Sequence, residues 1–366
     1  MKKTMVFFFG MCLLAFWLVA VPGQSLALEK VRLLFTTTSY GIWYNEMTIG
    51  LSKAQGGLGF FEEEGLDVQH SGASGSTDAI KLVGAGQADV CGHTGYGPMI
   101  IAIENGIPII APFNVQKKNI FFIVVPKESP IKDIKELKGK RIGVYSFGSD
   151  GVPMAKAMAQ EVGLNPEKDI ELVPIGLGAQ AVDAIKTGKV VGGSYWDTGI
   201  ALMEAQGNIE FRYLSTPGVS DIYSSGYVAN RDWLKKNPAT AAKFFRAIAK
   251  SRVFVQANPL ASVKIHFKVF PAAKPAASTK EEEEKNMKDM IYVLNARIHM
   301  LDKYSDVAGK MGLMDKKKWE ETISFYVKTA AIKKEMPAER VFTNELVKEA
   351  NNFDLNRIVE MAKNYK

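Results

Sequence analysis

The sequence predicts an α/β protein of two lobes, each built around a mainly parallel central sheet. Three observations predict this fold class. The chain has 366 residues, which exceeds the ordinary length of a single domain. From Val31 onward, short β-branched and aromatic runs alternate with amphipathic segments, as in βαβ units. These units fall into two successive sets of similar content, which indicates two sheets.

The first 27 residues have the pattern of a secretory signal peptide. Two lysines precede the apolar run 5–21, and Ser25-Leu26-Ala27 supplies the small-x-small pattern of a cleavage site after Ala27. A retained membrane anchor is the alternative, and Pro22-Gly23 together with the cleavage pattern favours removal. Lipid attachment at Cys12 is disfavoured because bulky Met11 precedes it.

Composition excludes several classes of protein for the remainder of the chain. No later stretch is apolar for long enough to span a membrane. Cys91 is the one cysteine after the signal segment, so an intramolecular disulfide is excluded there. The net charge of +7 includes Lys2 and Lys3, which leaves +5 for residues 28–366. Lysines are mixed with glutamates, as in the stretch 280–285, and no arginine-rich, aromatic-interleaved stripe predicts nucleic-acid binding.

The first set of units runs from residue 31 to residue 125. Period-two or continuous apolar runs predict strands, and 3.6-residue periodicity ended by glycine or asparagine predicts helices. The predicted strands are 31–35, 66–70, 89–91, 107–113 and 120–125, and the predicted helices are 47–53, 58–64, 77–85 and 98–105.

The second set begins near Pro126 and is followed by a helical C-terminal tail. A helical turn is predicted at 134–137, strands at 141–144, 170–174, 190–195 and 209–214, and helices at 153–161 and 179–187. A further strand, 224–229, leads into a long helical region from Trp233 to the C-terminus. Within it, 271–279 is predicted to be a loop, and Glu281–Glu284 place acids at the positive end of a new helix.

Five sequence segments in a fixed order carry a family resemblance. Residues 56–68 (GGLGFFEEEGLDV) contain the pattern G-F-F-x-x-x-G-L-D-V. The other four segments are AGQADV at 85–90, NGIP at 105–108, SPI at 129–131 and IKELKGKRIGV at 134–144. The set resembles the periplasmic substrate-binding proteins of ABC importers, in the nitrate/sulfonate/taurine-binding group, related to the thiamine-pyrimidine-precursor family. The resemblance covers about residues 31–233.

The resemblance implies a type II periplasmic-binding fold and a receptor without catalytic activity or cofactor. The first lobe would combine residues 28–125 with 217–366, the second would be 126–216, and two strands near 120–125 and 224–229 would form the hinge. Such a protein, expected to be a periplasmic monomer, closes on a small molecule and presents it to a permease in the inner membrane.

The ligand site is expected beyond the carboxyl ends of the strands, where helix N-termini also offer free backbone N–H groups. The loops at these positions are rich in hydroxyl residues, glycines and aromatics, which would bind a ligand through hydrogen bonds and apolar walls. The predicted ligand-binding residues are Thr38, Ser39, Tyr40, Ser74, Gly75, Ser76, His93, Thr94, Tyr96, Ser146, Phe147, Ser149, Gln180, Tyr195, Trp196 and Asp197. Trp43 is the weakest aromatic candidate because the following helix must pack there.

Charge leaves the chemical class of the ligand open. No arginine falls in these loops, although helix N-termini and hydroxyls could still hold an anion. Asp150 and Asp197 lie close to the predicted cleft and would repel an anion if they pointed inward. Helix capping is the simpler explanation for Asp150. A sulfonate, a nitrate-like anion and an aromatic or heterocyclic compound are therefore all plausible ligands.

Two other functions fit the same pattern: an enzyme of pyrimidine-precursor metabolism, and a sensory protein that docks on a membrane receptor. The predicted signal peptide favours a receptor over the enzyme, because synthesis of pyrimidine precursors belongs in the cytoplasm. No Gly-x-Ser-x-Gly elbow or Walker loop occurs, and one cysteine after the signal segment cannot form a cysteine cluster. Cys91 and His93, with His70 on a neighbouring strand, fall short of the four ligands of a structural metal site, so no metal is predicted.

Overall fold

Two five-stranded sheets form the framework of the protein. The computed structural model describes residues 27–114, 116 and 118–365. The predicted signal segment up to residue 26, including Cys12, lies outside the described residues. No helix of the described part is both long and apolar enough to cross a membrane.

Each sheet combines parallel strands with one antiparallel strand. The first sheet has the order β2-β1-β3-β10-β4, and β10 is antiparallel to both of its neighbours. The second has the order β7-β6-β8-β5-β9, with β5 antiparallel to both neighbours. The strands are β1 Glu29–Phe35, β2 Leu66–Gly72, β3 Val90–Gly95, β4 Ile109–Phe113, β5 Phe121–Pro126, β6 Lys140–Val144, β7 Ile170–Pro174, β8 Gly192–Trp196, β9 Phe211–Leu214 and β10 Ser225–Asn230. The predicted α/β fold with mainly parallel sheets is confirmed.

Helices cover both sheets and form most of the C-terminal part. They are α1 Asn45–Thr48, α2 Phe60–Glu63, α3 Ser76–Gly84, α4 Tyr96–Glu104, α5 Gly151–Glu161, α6 Ala179–Lys186, α7 Asp197–Gly207, α8 Pro217–Ser220, α9 Arg231–Lys236, α10 Pro238–Ala257, α11 Pro259–Val269, α12 Lys280–His299, α13 Lys316–Lys328, α14 Val347–Ala350 and α15 Leu355–Asn364. Short 3₁₀ turns occupy Ile42–Tyr44, Ile134–Leu137, Pro271–Ala273 and Ala338–Arg340.

Strands β4, β8 and β10 are continuous apolar or small-residue runs because both faces of each sheet are covered. Every residue of β4, β8 and β10 is buried. This is the pattern expected when helices cover both faces of a sheet that contains parallel strands. The edge strand β7, by contrast, has exposed residues.

Two helical predictions differ from the structure. The helix expected at 47–53 begins earlier and ends at Thr48, because the carbonyl of Leu51 accepts a hydrogen bond from the Gly59 N–H (2.8 Å) across a loop. The tail beyond Trp233 is not continuously helical: residues 302–315 and 329–346 are mainly turns and irregular segments.

Strand β5 lies in a different sheet from the one predicted. The sequence placed it at the end of the first lobe, but it pairs only with β8 and β9 of the second sheet. Strand β10 likewise belongs wholly to the first sheet. The chain therefore changes sheet between β4 and β5 and again between β9 and β10, so the two expected hinge strands each belong to one sheet.

Candidate ligand-binding site

A cavity of about 40 Å³ lies between the two sheets, and its wall includes residues of both sheets and of the tail. This volume corresponds to about three water-sized spheres. The lining residues are Thr36, Thr37, Trp43, Tyr44, Gly75, Ser76, His93 and Ser225 on the side of the first sheet, Ile120, Phe121, Tyr145, Ser149, Asp150 and Trp196 on the side of the second, and Arg297 from α12.

Hydroxyl groups from the end of β1 form part of the polar wall. Thr36 and Thr37 follow Phe35, the last residue of the strand, and both side chains are buried. The Tyr44 hydroxyl lies 2.9 Å from Thr36 Oγ1 and 3.1 Å from Thr37 Oγ1. Burial raises the pKa of Tyr44, so its phenol stays neutral and can share hydrogen bonds with both threonines.

An aromatic wall crosses from one sheet to the other. The rings of Trp43 and Trp196 meet edge to face, with centroids 5.9 Å apart. Two further rings pack edge to face against Trp196: Tyr145, with centroids 5.8 Å apart, and Phe121, with centroids 6.4 Å apart. Trp43, which the sequence ranked lowest among the aromatic candidates, therefore lines the cavity instead of only packing under a helix.

Arg297 brings the tail helix α12 into the site. Its Nε and Nη2 donate to the two carboxylate oxygens of Asp197, at 2.8 and 2.7 Å. Its Nη1 lies 2.5 Å from His93 Nδ1. It also donates to the Gln116 amide oxygen at 2.8 Å when that amide is assigned the orientation that lets its nitrogen donate to the Ser225 carbonyl. Both partners of the Arg297–Asp197 pair are about 5% exposed. Asp197, predicted to contact a ligand, is instead the ion-pair partner of Arg297.

His93 connects this ion pair to a second buried charge. Because Nδ1 accepts from Arg297, the imidazole proton lies on Nε2, which is 3.2 Å from Glu46 Oε1. Burial and the Arg297 charge lower the pKa of His93, against the opposing effect of Glu46. Burial opposes ionisation of Glu46, but the close approach of His93 and the Arg252 charge outweigh it and lower the pKa of Glu46. His93 also has a φ of +54°, uncommon for a residue other than glycine.

Asp150 is a polar residue of the cavity wall whose carboxyl group is left unpaired, as is the N–H of Trp43 in the same wall, among the described residues. The Asp150 side chain is 1% exposed, and neither carboxyl oxygen has a hydrogen-bond partner among the described residues. It stands at the N-cap of α5 but does not cap the helix; Ser149 Oγ accepts from the Gly151 N–H instead, at 3.1 Å. The capping explanation for Asp150 is therefore wrong.

The two sheets also meet directly beside the cavity along a surface that we call the seam, formed by residues 74–77 and 146–149. The Thr77 N–H donates to the carbonyl of Gly148 (3.2 Å), and Ser146 Oγ donates to the carbonyl of Ser74 (3.3 Å). A Cβ on Gly75 would lie 2.7 Å from the Gly148 carbonyl oxygen. The backbones approach closely only because Gly75 has no side chain.

Five of the sixteen predicted residues line the cavity: Gly75, Ser76, His93, Ser149 and Trp196. The others lie in four kinds of position. Ser74 and Ser146 form the seam. Thr38, Ser39 and Tyr40 line a separate groove of about 620 Å³. Thr94, Tyr96, Tyr195 and Asp197 are buried without lining the cavity. Phe147 (66% exposed) and Gln180 lie at the surface.

Ten further residues line the cavity, and three of them show what sequence reasoning could and could not find. Thr36 and Thr37 stand directly at a strand end, so the rule used for their neighbours could have found them. Arg297 had no such signal, because it lies in a helix 100 residues from its partner Asp197.

The described residues contain no metal-binding cluster: no three histidine, cysteine, aspartate or glutamate side chains are grouped to hold an ion. Cys91 is fully buried, and burial raises the pKa of its thiol to about 12. A neutral thiol of this kind behaves as a small apolar side chain.

Known proteins share both the sequence pattern and the fold. The family model described as "NMT1/THI5 like" matches residues 49–262. A phosphate synthase for 4-amino-5-hydroxymethyl-2-methylpyrimidine, THI13 of Saccharomyces cerevisiae, is 26% identical over 243 residues, 61% of this chain and 68% of that protein. The formylaminopyrimidine-binding protein of Halalkalibacterium halodurans is 23% identical over 292 residues, covering 78% and 83%.

A solved structure supports the fold. The alkanesulfonate-binding protein SsuA of Xanthomonas axonopodis pv. citri, bound to MOPS, superposes with a TM-score of 0.61 at 15% identity, covering 86% of this chain and 98% of that one. The predicted resemblance to periplasmic binding proteins is thereby confirmed at the level of the fold. Since the family model spans more than half of the sequence, this chain belongs to the NMT1/THI5-like family.

Proposed function

We propose that this protein is a solute-binding receptor that captures a small molecule between its two sheets and delivers it to the permease of an ABC importer. The observation that carries the proposal is the cavity, whose wall takes hydroxyls and aromatic rings from both sides. Ser76 and Trp43 come from the side of the first sheet, Ser149 and Trp196 from the side of the second. A sulfonate, a nitrate-like anion, or an aromatic or heterocyclic compound is the proposed ligand.

Because the cavity wall comes from both halves of the protein, we expect the two sheets to close around the ligand. A ligand can favour a closed state only if it contacts both halves there, and this cavity offers such contacts. The seam hydrogen bonds, Thr77 to Gly148 and Ser146 to Ser74, would hold the closed state. In the arrangement described, the cavity admits only groups of a few atoms, so a bound ring would hold the two halves further apart than they are here.

The proposal includes a location and a division into lobes. Cleavage near Ala27 would release a periplasmic monomer. One lobe would comprise the first sheet with the C-terminal helices, and the other the second sheet. Names of related proteins support capture of small solutes: one binds formylaminopyrimidine and another binds alkanesulfonates.

Thermal unfolding of the protein, expressed as residues 1–366, against a panel of solutes tests the proposal. The panel comprises sulfonates, nitrate, bicarbonate, aromatic carboxylates, pyrimidines and polyamines. A ligand at about 100 times its dissociation constant adds about 2.7 kcal/mol to the free energy of unfolding, which raises the midpoint measurably. We expect a saturable shift with at least one panel member, recovered unchanged afterwards. The absence of a shift with any member would count against the proposal.

An enzyme is the second candidate, because four matched proteins of Saccharomyces cerevisiae are named as synthases. Chromatography of the panel compounds after incubation separates the two candidates. Recovery of every compound unchanged supports a receptor. Conversion of the compound that shifts the midpoint supports an enzyme.

A further inference from the structure

The Asp150 carboxyl group is buried at a contact between the two halves of the protein. Asp150 precedes α5 on the side of the second sheet, and its side chain is 1% exposed. Gly95 and Gly97, on the side of the first sheet, lie directly against it, since a Cβ built on them would be 2.7 and 2.8 Å from Asp150 Oδ1. Part of what buries this carboxyl therefore belongs to the other half, and separation of the halves would return the carboxyl to water.

The groups that face Asp150 do not compensate a negative charge. Gly95 and Gly97 contribute no side chain, and neither carboxyl oxygen has a hydrogen-bond partner among the described residues. From α13 the titratable group facing it is the Tyr326 phenol, whose O–H is directed to Met154 Sδ at 3.4 Å. Burial raises the pKa of Tyr326 well above its ordinary value, so this neighbour is neutral. A buried carboxylate without a partner is strongly unfavourable, and such a group takes up a proton instead.

The other titratable groups in the cavity wall are neutral or already paired. Burial raises the pKa of Tyr44 and of Tyr145, and burial also lowers the pKa of His93. Arg297 is the one lysine or arginine among the described residues that line the cavity, and it donates to both carboxylate oxygens of Asp197. Asp150 therefore meets no unpaired cation in this wall. Burial accordingly raises the pKa of Asp150 well above its ordinary value.

We infer that closure of the two halves takes up one proton at Asp150, so that the receptor captures its ligand more tightly as the pH falls. This inference rests on the proposed function and adds a regulation to it. In the separated state the carboxylate is hydrated and ionises near its ordinary value of about 4. Closure transfers a proton from solvent to that carboxylate, and a ligand that favours the closed state therefore binds together with a proton.

The inference leaves the chemical class of the ligand open. The Trp43 N–H is unpaired in the same wall and can donate to a ligand acceptor without involving Asp150. An anion and a neutral ring could each use it. Proton uptake is thus a property of the contact between the halves, and it should accompany the binding of any ligand that brings Gly95 and Gly97 against Asp150.

Isothermal titration at pH 6 with the panel compound that gives the largest thermal shift counts the protons. The full chain is titrated in cacodylate and in Bis-Tris, two buffers without a sulfonate group whose ionisation enthalpies differ. We expect the wild type to take up about one proton more per bound ligand than Asp150→Asn, a neutral side chain of the same shape. Any proton exchanged by the ligand itself cancels in this difference. Equal proton counts in the two proteins would overturn the inference.

The pH dependence of affinity provides a second readout. Between pH 5 and 7, uptake of one proton weakens wild-type binding by up to about tenfold per pH unit relative to Asp150→Asn. Asp183→Asn, at an exposed position on α6 of the same half, is the matched control and should keep the wild-type slope. If Asp150→Asn does not fold, the slope of Asp183→Asn and of the wild type with a compound that does not titrate, such as nitrate, decides, and a flat profile overturns the inference. If compounds bind without the extra proton, the receptor stands and the inference fails; if no compound binds, the proposed function fails.

Discussion

Three histidines with lowered pKa values show how burial sets charge at single residues. His266 is fully buried; its Nε2 lies 2.9 Å from the carbonyl oxygen of Tyr40, and its Nδ1 has no partner among the described residues. Burial lowers the pKa of His266 to about 4. Burial also lowers the pKa of His70 and, together with Arg297, of His93. All three are neutral in the folded protein at pH 7.

Acid should therefore weaken the fold below pH 6.5. Between that value and about pH 4, unfolded His266 binds a proton that the native side chain does not, so stability falls by roughly 1.4 kcal/mol per pH unit for this residue. Asp150 acts in the opposite direction, because its raised pKa keeps a proton on the native state that the unfolded chain releases.

Substitution isolates the contribution of His266. His266→Asn can still donate to Tyr40 and should flatten the profile of unfolding free energy against pH by about 1.4 kcal/mol per unit over this window. His299→Asn, at an exposed position on α12, is the matched control and should leave the slope unchanged. Urea unfolding from pH 4 to 7.5 measures both slopes. Parallel profiles for His266→Asn and the wild type would contradict the assignment.

Helix α12 joins the tail to the second sheet. Thr279 and Glu282 form a capping box at its start. Along its length it packs on α7 and on α11, and it contributes two polar links to α7. One is the Arg297–Asp197 pair, and the other is the Tyr292 hydroxyl donating to Glu204 at 2.8 Å. The tail therefore contacts both halves of the protein.

The buried ion pair should be strongly coupled. Arg297→Met leaves Asp197 charged, buried and without its main partner, and should cost about 3–5 kcal/mol of unfolding free energy. The double variant with Asp197→Asn should cost about 1–3 kcal/mol less than the sum of the single changes. Lys285→Met, which breaks an exposed pair with Asp289 on the same helix, is the control and should cost less than about 1 kcal/mol. Urea titration measures all four variants, and strict additivity would contradict a direct pair.

Local sequence patterns were sufficient to predict most helices and strands and part of the candidate site. Strands such as β1 and β7 follow from β-branched apolar runs between turn residues, and Ser76, Ser149 and Trp196 follow from the rule that ligands bind at strand ends. Arg297 could not be predicted, because its position in the site depends on how the tail helix packs. Asp150 had two explanations, and only the hydrogen bond from Gly151 to Ser149 excluded capping.

At the scale of the whole molecule, the central claim is that the two halves close around a ligand. Next to the cavity, Gly95 of the first sheet lies against Asp150 of the second. A Cβ on Gly95 would lie 2.4 Å from both Cβ and Cγ of Asp150, well inside the contact distance of about 3.5–4.0 Å between carbon atoms. Gly95 has an extended backbone (φ −63°, ψ 132°) that alanine also adopts, so Gly95→Ala should fold and fail to close.

Gly148→Ala provides a matched control at the seam. Its added Cβ would meet the Ser74 carbonyl oxygen at 3.4 Å, an ordinary contact distance, so closure should remain intact.

Isothermal titration of the wild type and these two variants tests the central claim most directly, with the panel compound that gives the largest thermal shift. Because affinity falls with the fraction of protein able to close, we predict that Gly95→Ala binds about tenfold more weakly or worse. Gly148→Ala should bind within about twofold of the wild type. Equal affinity in all three proteins would show that binding does not need the sheets to meet, and would contradict a clamp.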